Sequence, residues 1–322
     1  MTSVLHVLGR AAPGDVTTAA ARALCRGLAA EGVAGRLAAV EVRGACDDVD
    51  VLRPEQLADT VVVAHTVDGG ESLAPIVDAL RRARVHVVHH GSRPGSDRTV
   101  LRSLRGTAAV AAAPDAAARE ELRGLGFGDP VALPSALPAD ARAEVASGDG
   151  GEGHPGPYLL TVGPIAEGRS LELLVDAFAQ LLEADVPSAV LSVCGPADRW
   201  YLDALLRRVV RRGLLACEVI EPRDEDAVRS RLARCDVYVA LQPGGYDPYL
   251  HRAADRATVV APTVAATASF VGSPGFVGIG AAPTRDHLTG ALRAAVAARP
   301  AAAAIDGRAS RSADLRALLR VA

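Results

Sequence analysis

Tyr158-Leu159-Leu160-Thr161-Val162-Gly163 is an apolar run that stops on a glycine, and Leu171-Glu172-Leu173-Leu174-Val175-Asp176-Ala177-Phe178 follows a short loop later with its apolar residues at helical spacing. The first segment reads as a strand covered on both faces and the second as an amphipathic helix. The loop between them carries Arg169. A strand aimed at a helix start, with a guanidinium in the joint, suits a phosphate-bearing ligand, because helix-start N–H groups and arginine both favour anions.

Outward from this joint the chain alternates strands and helices. After it, strands are expected near 158–162, 189–194, 217–220, 236–240, 258–261 and 276–279, and helices near 170–183, 198–212, 224–234, 248–255 and 285–298. A last helix is expected at about 309–320. Before it, Ser3–Leu8, Thr60–Thr66, Val85–His89, Ala108–Ala113 and Val131–Leu133 read as strands. Asp15–Ala30, Leu73–Arg82 and Pro114–Leu125 read as helices, the first with Asp15 as its N-cap. The stretch 146–157 is rich in glycine and proline and reads as a linker. Two alternating runs around a linker predict an α/β protein of two doubly wound, Rossmann-like parallel-sheet domains, 1–145 and 158–322. Ligands of such sheets sit at the carboxyl ends of the strands, so two facing domains make a cleft.

Composition narrows the function classes. The net charge is −3 with no basic block, which argues against nucleic acid as a partner. No apolar run has the length of a membrane span and no secretory signal opens the chain, so a cytoplasmic protein is expected, not an integral membrane one. All 35 basic residues are arginine, which stays charged and grips phosphate with a two-pronged fork. The five cysteines form no C-x-x-C pair and read as buried thiols. The run Arg207-Arg208…Arg211-Arg212 reads as a solvated helix face. Neither a phosphate-binding G-x-x-x-x-G-K-[ST] nor a dinucleotide G-x-G-x-x-G after the first strand is present.

A set of short segments, in order along most of the chain, resembles a known family. They are Pro13-Gly14-Asp15, the strand ending at His65, Val87-Val88-His89-His90-Gly91, Ala113-Pro114-Asp115, Leu122-Arg123-Gly124-Leu125-Gly126-Phe127, Val162-Gly163, Cys194-Gly195-Pro196, Ala233-Arg234-Cys235-Asp236-Val237-Tyr238-Val239 and Thr258-Val259-Val260-Ala261. Together they resemble GT-B glycosyltransferases of the retaining family 4 type. The resemblance implies transfer of a sugar from a nucleotide-diphosphate donor bound by the second domain to an acceptor on the first, without a metal or other cofactor. It implies catalytic roles for His89 and Arg169, and donor contacts from Gly14, Gly163, Arg169, Gly244, Gly245 and His251. It also implies a final helix that crosses back onto the first domain.

The donor motif departs from the family pattern. The position after Gly163, an arginine in such enzymes, is Pro164, and the family lysine is replaced by Arg169. The two family glutamates align with Pro243 and His251. A carboxylate accepts two hydrogen bonds from a diol and a neutral imidazole only one, so these changes weaken donor binding unless other groups substitute. Three readings stay open: a hexosyltransferase, a non-catalytic GT-B protein acting as a binding or regulatory partner of another glycosyltransferase, or a GT-B enzyme of another reaction type such as a nucleotide-sugar epimerase. His89 either contacts the transferred sugar or simply closes a strand. Gly14 either approaches phosphate or only makes a turn.

Overall fold

The structure is a computed structural model that describes residues 3–30, 32–58, 60–91, 97–114, 116–133, 156–241, 247–254, 256–264, 267 and 270–298. The first half runs β1 (Ser3–Ala11), α1 (Val16–Ala30), β2 (Ala34–Val42), β3 (Val49–Val51), β4 (Val61–Thr66), α2 (Val77–Leu80), β5 (Arg84–His89), α3 (Thr99–Leu104), β6 (Ala108–Ala113), α4 (Ala116–Gly124) and β7 (Val131–Ala132). The second runs β8 (Tyr158–Val162), α5 (Leu171–Ala184), β9 (Val190–Cys194), α6 (Arg199–Arg211), β10 (Cys217–Ile220), α7 (Glu225–Arg234), β11 (Val237–Val239), α8 (Pro248–Ala254), β12 (Thr258–Pro262), β13 (Phe276–Ile279) and α9 (Arg285–Ala297).

Every strand pairing is parallel. The first sheet has the order β3-β2-β1-β4-β5-β6-β7 and the second β10-β9-β8-β11-β12-β13. Both are doubly wound, and the winding reverses at β1/β4 and again at β8/β11. Those reversals leave crevices at the carboxyl ends, where α/β sheets bind ligands. The buried apolar faces explain the layering. Leu5, Val7, Val62 and Val87 pack on one side of the first sheet, and Val4, Leu24, Leu28, Val63 and Val88 on the other. In the second sheet Leu159, Leu191 and Val237 meet α5 and α9, while Leu160, Val162 and Val259 meet α7 and α8.

Several expectations need correction. Leu73–Arg82 is not one α-helix. A 3-10 segment covers Asp68–Ile76, with Pro75 inside it, and only Val77–Leu80 is α. Proline lacks the N–H that would extend the ladder. Strands β2 and β3 and helix α3 lie where no element is expected. The linker 146–157, apart from its last two residues, and the helix at 309–320 lie outside the described residues.

The ends of β8 and β9 touch through glycine. Gly163 N–H donates to the Cys194 carbonyl at 2.9 Å and Gly195 N–H to that of Ile220 at 3.0 Å. Gly195 has a φ of +157°, and a Cβ there would clash with the Gly163 carbonyl group, far inside van der Waals contact. Gly195→Ala is therefore expected to destabilise the second half by at least about 2 kcal/mol, through overpacking against backbone that cannot yield. Denaturant unfolding measures it, and an unchanged midpoint contradicts the packing described.

Candidate functional site

Two helix starts meet at the junction of the halves. Asp15 caps α1: one carboxylate oxygen accepts both the Thr18 N–H and the Thr18 hydroxyl at 2.8 Å. Gly14, just before it, has a φ of +72°. A Cβ at Gly14 would lie 3.3 Å from Gly195 Cα and 3.3 Å from Pro222 Cγ. The glycine loop of the first half is thus seated on the glycine ends of the second, and Gly14, Gly195 and Gly163 form one contact chain. The face that sequence reasoning offers to a phosphate is covered by this contact.

Further contacts hold the halves together. The Ala45 N–H donates to the Arg223 carbonyl at 3.1 Å. Buried Arg22 binds Asp48 through Nε at 2.7 Å and Nη2 at 2.5 Å, and reaches Glu225 of the second half at 3.3 Å. Glu225 in turn accepts the Tyr249 hydroxyl at 3.1 Å. Beside this contact lies a cleft of about 990 Å³, with Pro13, Arg43 and Gly44 on one wall and Pro196, Trp200 and Glu221 on the other.

Arg169 sits at the carboxyl end of β8, buried, where the sequence places it. Its Nη1 donates to the Pro164 carbonyl at 3.2 Å and its Nη2 to that of Val162 at 3.3 Å. Its Nε is buried with no partner among the described residues. Ser170 follows with a φ of +54°, the only positive φ outside glycine among the described residues. Such a residue costs of order 1 kcal/mol and persists where the surroundings demand it. Here it turns the chain sharply between the buried guanidinium and α5. Burial pulls the Arg169 pKa down, and the nearby Asp247, Tyr238, Tyr201 and Asp15 oppose that.

Asp247 is the residue sequence reasoning missed. It caps α8, accepting the Tyr249 N–H at 2.9 Å and the Leu250 N–H at 3.3 Å, while its other oxygen accepts the Tyr238 hydroxyl at 2.8 Å. Burial raises the pKa of Asp247, and likewise that of Asp15, against the lowering by their hydrogen bonds. Arg169 is thus within electrostatic reach of a carboxyl group from each half. Asp247 falls out of register with Pro243 and His251, the positions that align with the glutamates of the resembled family. Its signal in the sequence is the Asp-Pro pair at a helix start.

His89 requires a correction. It is fully buried, with Nδ1 3.0 Å from the Thr66 hydroxyl and Nε2 3.2 Å from Glu121, which also pairs with Arg98. Both ring nitrogens are held inside the first half, so His89 offers no nitrogen to a sugar. Gly244 and Gly245 lie outside the described residues. His251 falls on α8, and its side chain is likewise outside them.

The first sheet carries a chain of imidazoles instead. His6 Nδ1 is 3.1 Å from His65 Nε2, and His65 Nδ1 is 3.0 Å from His90 Nε2. All three rings are buried, and His65 stacks on His90 at 5.3 Å. Burial holds His6 down at about 4 and His90 at about 3, with His65 well below its usual value. A neutral His65 has one N–H and one lone pair, so it donates to one neighbour and accepts from the other. At the ends, His6 Nε2 and His90 Nδ1 have no partner among the described residues. Among the described residues, no group of three His, Cys, Asp or Glu side chains could hold a metal ion, and no helix is long and apolar enough to cross a membrane.

No protein-family model and no curated protein matches the sequence. Solved structures do match the fold. The α,α-trehalose 6-phosphate synthase of Burkholderia multivorans superposes with a TM-score of 0.66 at 14% identity, over 99% of this chain and 95% of that one. Anabaena Alr3699/HepE, solved in complex with UDP and glucose, gives 0.60 at 14% identity over 100% and 97%. A glycosyltransferase from Rickettsia africae gives 0.62 at 11% identity over 99% and 93%. The class is thereby defined: two Rossmann-like sheets in the GT-B arrangement of glycosyltransferases. At these identities the likeness establishes the fold and leaves the reaction to the site.

Proposed function

We propose that the chain is a glycosyltransferase that takes a sugar from a nucleotide-diphosphate donor held by the second half and passes it to an acceptor on the first, with retention of configuration. The observation that carries the reading is the position of Arg169. It is a buried guanidinium at the winding reversal of the second sheet, with the glycine loop and Asp15 of the first half closed over the same region. A guanidinium there suits the pyrophosphate of a donor and the charge that grows on it as the bond from the anomeric carbon to phosphate oxygen breaks. No metal is needed for that role. Closure of the halves keeps water from the reacting centre. The test is release of nucleoside diphosphate from a panel of UDP, GDP and dTDP sugars. Arg169→Ala is expected to lower turnover about a hundredfold or more; turnover equal to wild type overturns the assignment.

A specific observation favours a second reading, a non-catalytic GT-B protein partnering an active glycosyltransferase. Asp247 already occupies the N–H groups at the start of α8, and both ends of the Arg169 guanidinium already donate to carbonyl oxygens. A pyrophosphate must displace or protonate that carboxylate, because like charges in a buried site repel. Failure of every nucleotide sugar to turn over, with a folded protein, selects this reading.

A further inference from the structure

We propose that the outer face of α6 is a self-association surface that pairs antiparallel with the same face of a second copy of this chain. The helix is amphipathic, with Tyr201, Leu205 and Val209 buried against its own half. Its opposite face is nevertheless apolar in part: Trp200 is 60% exposed, Leu206 39% and Val210 77%, and Leu215 just beyond the helix is fully exposed. At 100° per residue Leu206 and Val210 lie together on one side of this face. Exposed apolar groups collected on one face, with charged residues among them, mark interaction sites.

The charges on this face argue for a second copy as the occupant. Arg208 and Arg212 turn inward to Asp176 of α5, at 2.5 Å and 3.1 Å. Asp203, Arg207 and Arg211 are exposed and form no ion pair among the described residues. The acidic residue stands toward the start of the helix and the basic ones toward its end. A twofold axis crossing α6 near Arg207 and Arg208 reverses that order in the partner. It sets Leu206 of one copy against Val210 of the other, Trp200 against Leu215, and Asp203 beside Arg211. Apolar meets apolar and Asp203 meets Arg211 with a single operator. Arg207, closest to the axis, meets its own copy, and its long stem lets the guanidinium turn to water. The inference does not depend on what the cleft binds.

The chain has one tryptophan, Trp200, so its emission reports this surface directly. Light scattering and tryptophan emission are followed together across a dilution series of the full chain without nucleotide. The expected result is a dimer whose dissociation on dilution is matched by a red shift of the emission. Val210→Asp, on a surface that folding does not need, is expected to raise the dissociation constant at least about tenfold, by burying a carboxylate without a partner. Asp203→Arg alone is expected to weaken the dimer, and Asp203→Arg combined with Arg211→Asp to restore it. A monomer at every concentration, whether its tryptophan is exposed or shielded by the chain itself, overturns the proposal. So does a dimer indifferent to Val210→Asp and to the charge reversal.

Discussion

Lowering the pH from about 7 to about 5 is expected to cost the first half at least about 6 kcal/mol of stability, because the three rings of the imidazole chain, and His86, which burial also lowers, must stay neutral in the fold while the unfolded chain protonates them. The sign follows from the direction of the shifts. His6, His65 and His90 are all depressed by burial, to about 4 for His6 and about 3 for His90. Below the ordinary histidine range the unfolded state therefore binds more protons than the folded state, and stability falls with pH until the folded-state values are reached. Each ring contributes about 2 kcal/mol at pH 5, and three give a limiting slope near 4 kcal/mol per pH unit. Asp15 acts oppositely in this half, and Asp247 does so in the second. Their pKa values are raised, so the folded state takes up their protons first and regains part of the loss at the acid end. Against a typical total of about 5–15 kcal/mol, the histidine effect is large enough to unfold the half. Urea midpoints at pH 7, 6 and 5 measure it, and His90→Gln is expected to reduce the slope by about a third. A flat profile contradicts the buried chain of rings.

Asp247→Ala is expected to cost about 3–5 kcal/mol, and Arg169→Met distinctly less. The two residues are neighbours, but their removal is not symmetric. Without Asp247, the Tyr238 hydroxyl, two helix-start N–H groups and a buried guanidinium lose their acceptor or counter-charge together. Arginine cannot shed its proton to escape. Without Arg169, the remaining carboxylate is already displaced upward by burial and becomes neutral by taking a proton. Equal costs for the two variants in denaturant unfolding contradict this account of the charge cluster.

Short strands bounded by loop residues were legible in the sequence. β8, β10, β6 and β13 lie at the residues their apolar patterns mark. The strand β2 was not, because Gly35, Arg36 and Glu41 interrupt its apolar residues and break both the continuous and the alternating pattern. Helix α3 is only six residues long, too short for a periodic signal. At the site, Arg169 could be placed because it follows a strand and precedes a helix, and Asp15 because capping is local. The tie that holds His89 could not, since Thr66 and Glu121 are brought to it by strand pairing and helix packing across 23 and 32 residues. The same is true of the His6–His65–His90 chain, which exists only in the β1/β4/β5 register. Local signals reached the cation of the site and stopped short of Asp247, which follows the neighbouring strand β11.

Titration calorimetry of the wild type and Arg169→Ala with UDP, GDP and dTDP sugars tests most directly whether the buried guanidinium is an anion site. The account predicts saturable binding of at least one of them by the wild type, weakened about a hundredfold in a variant that circular dichroism shows to be folded. Binding of equal strength in the variant, or none to the wild type, contradicts it.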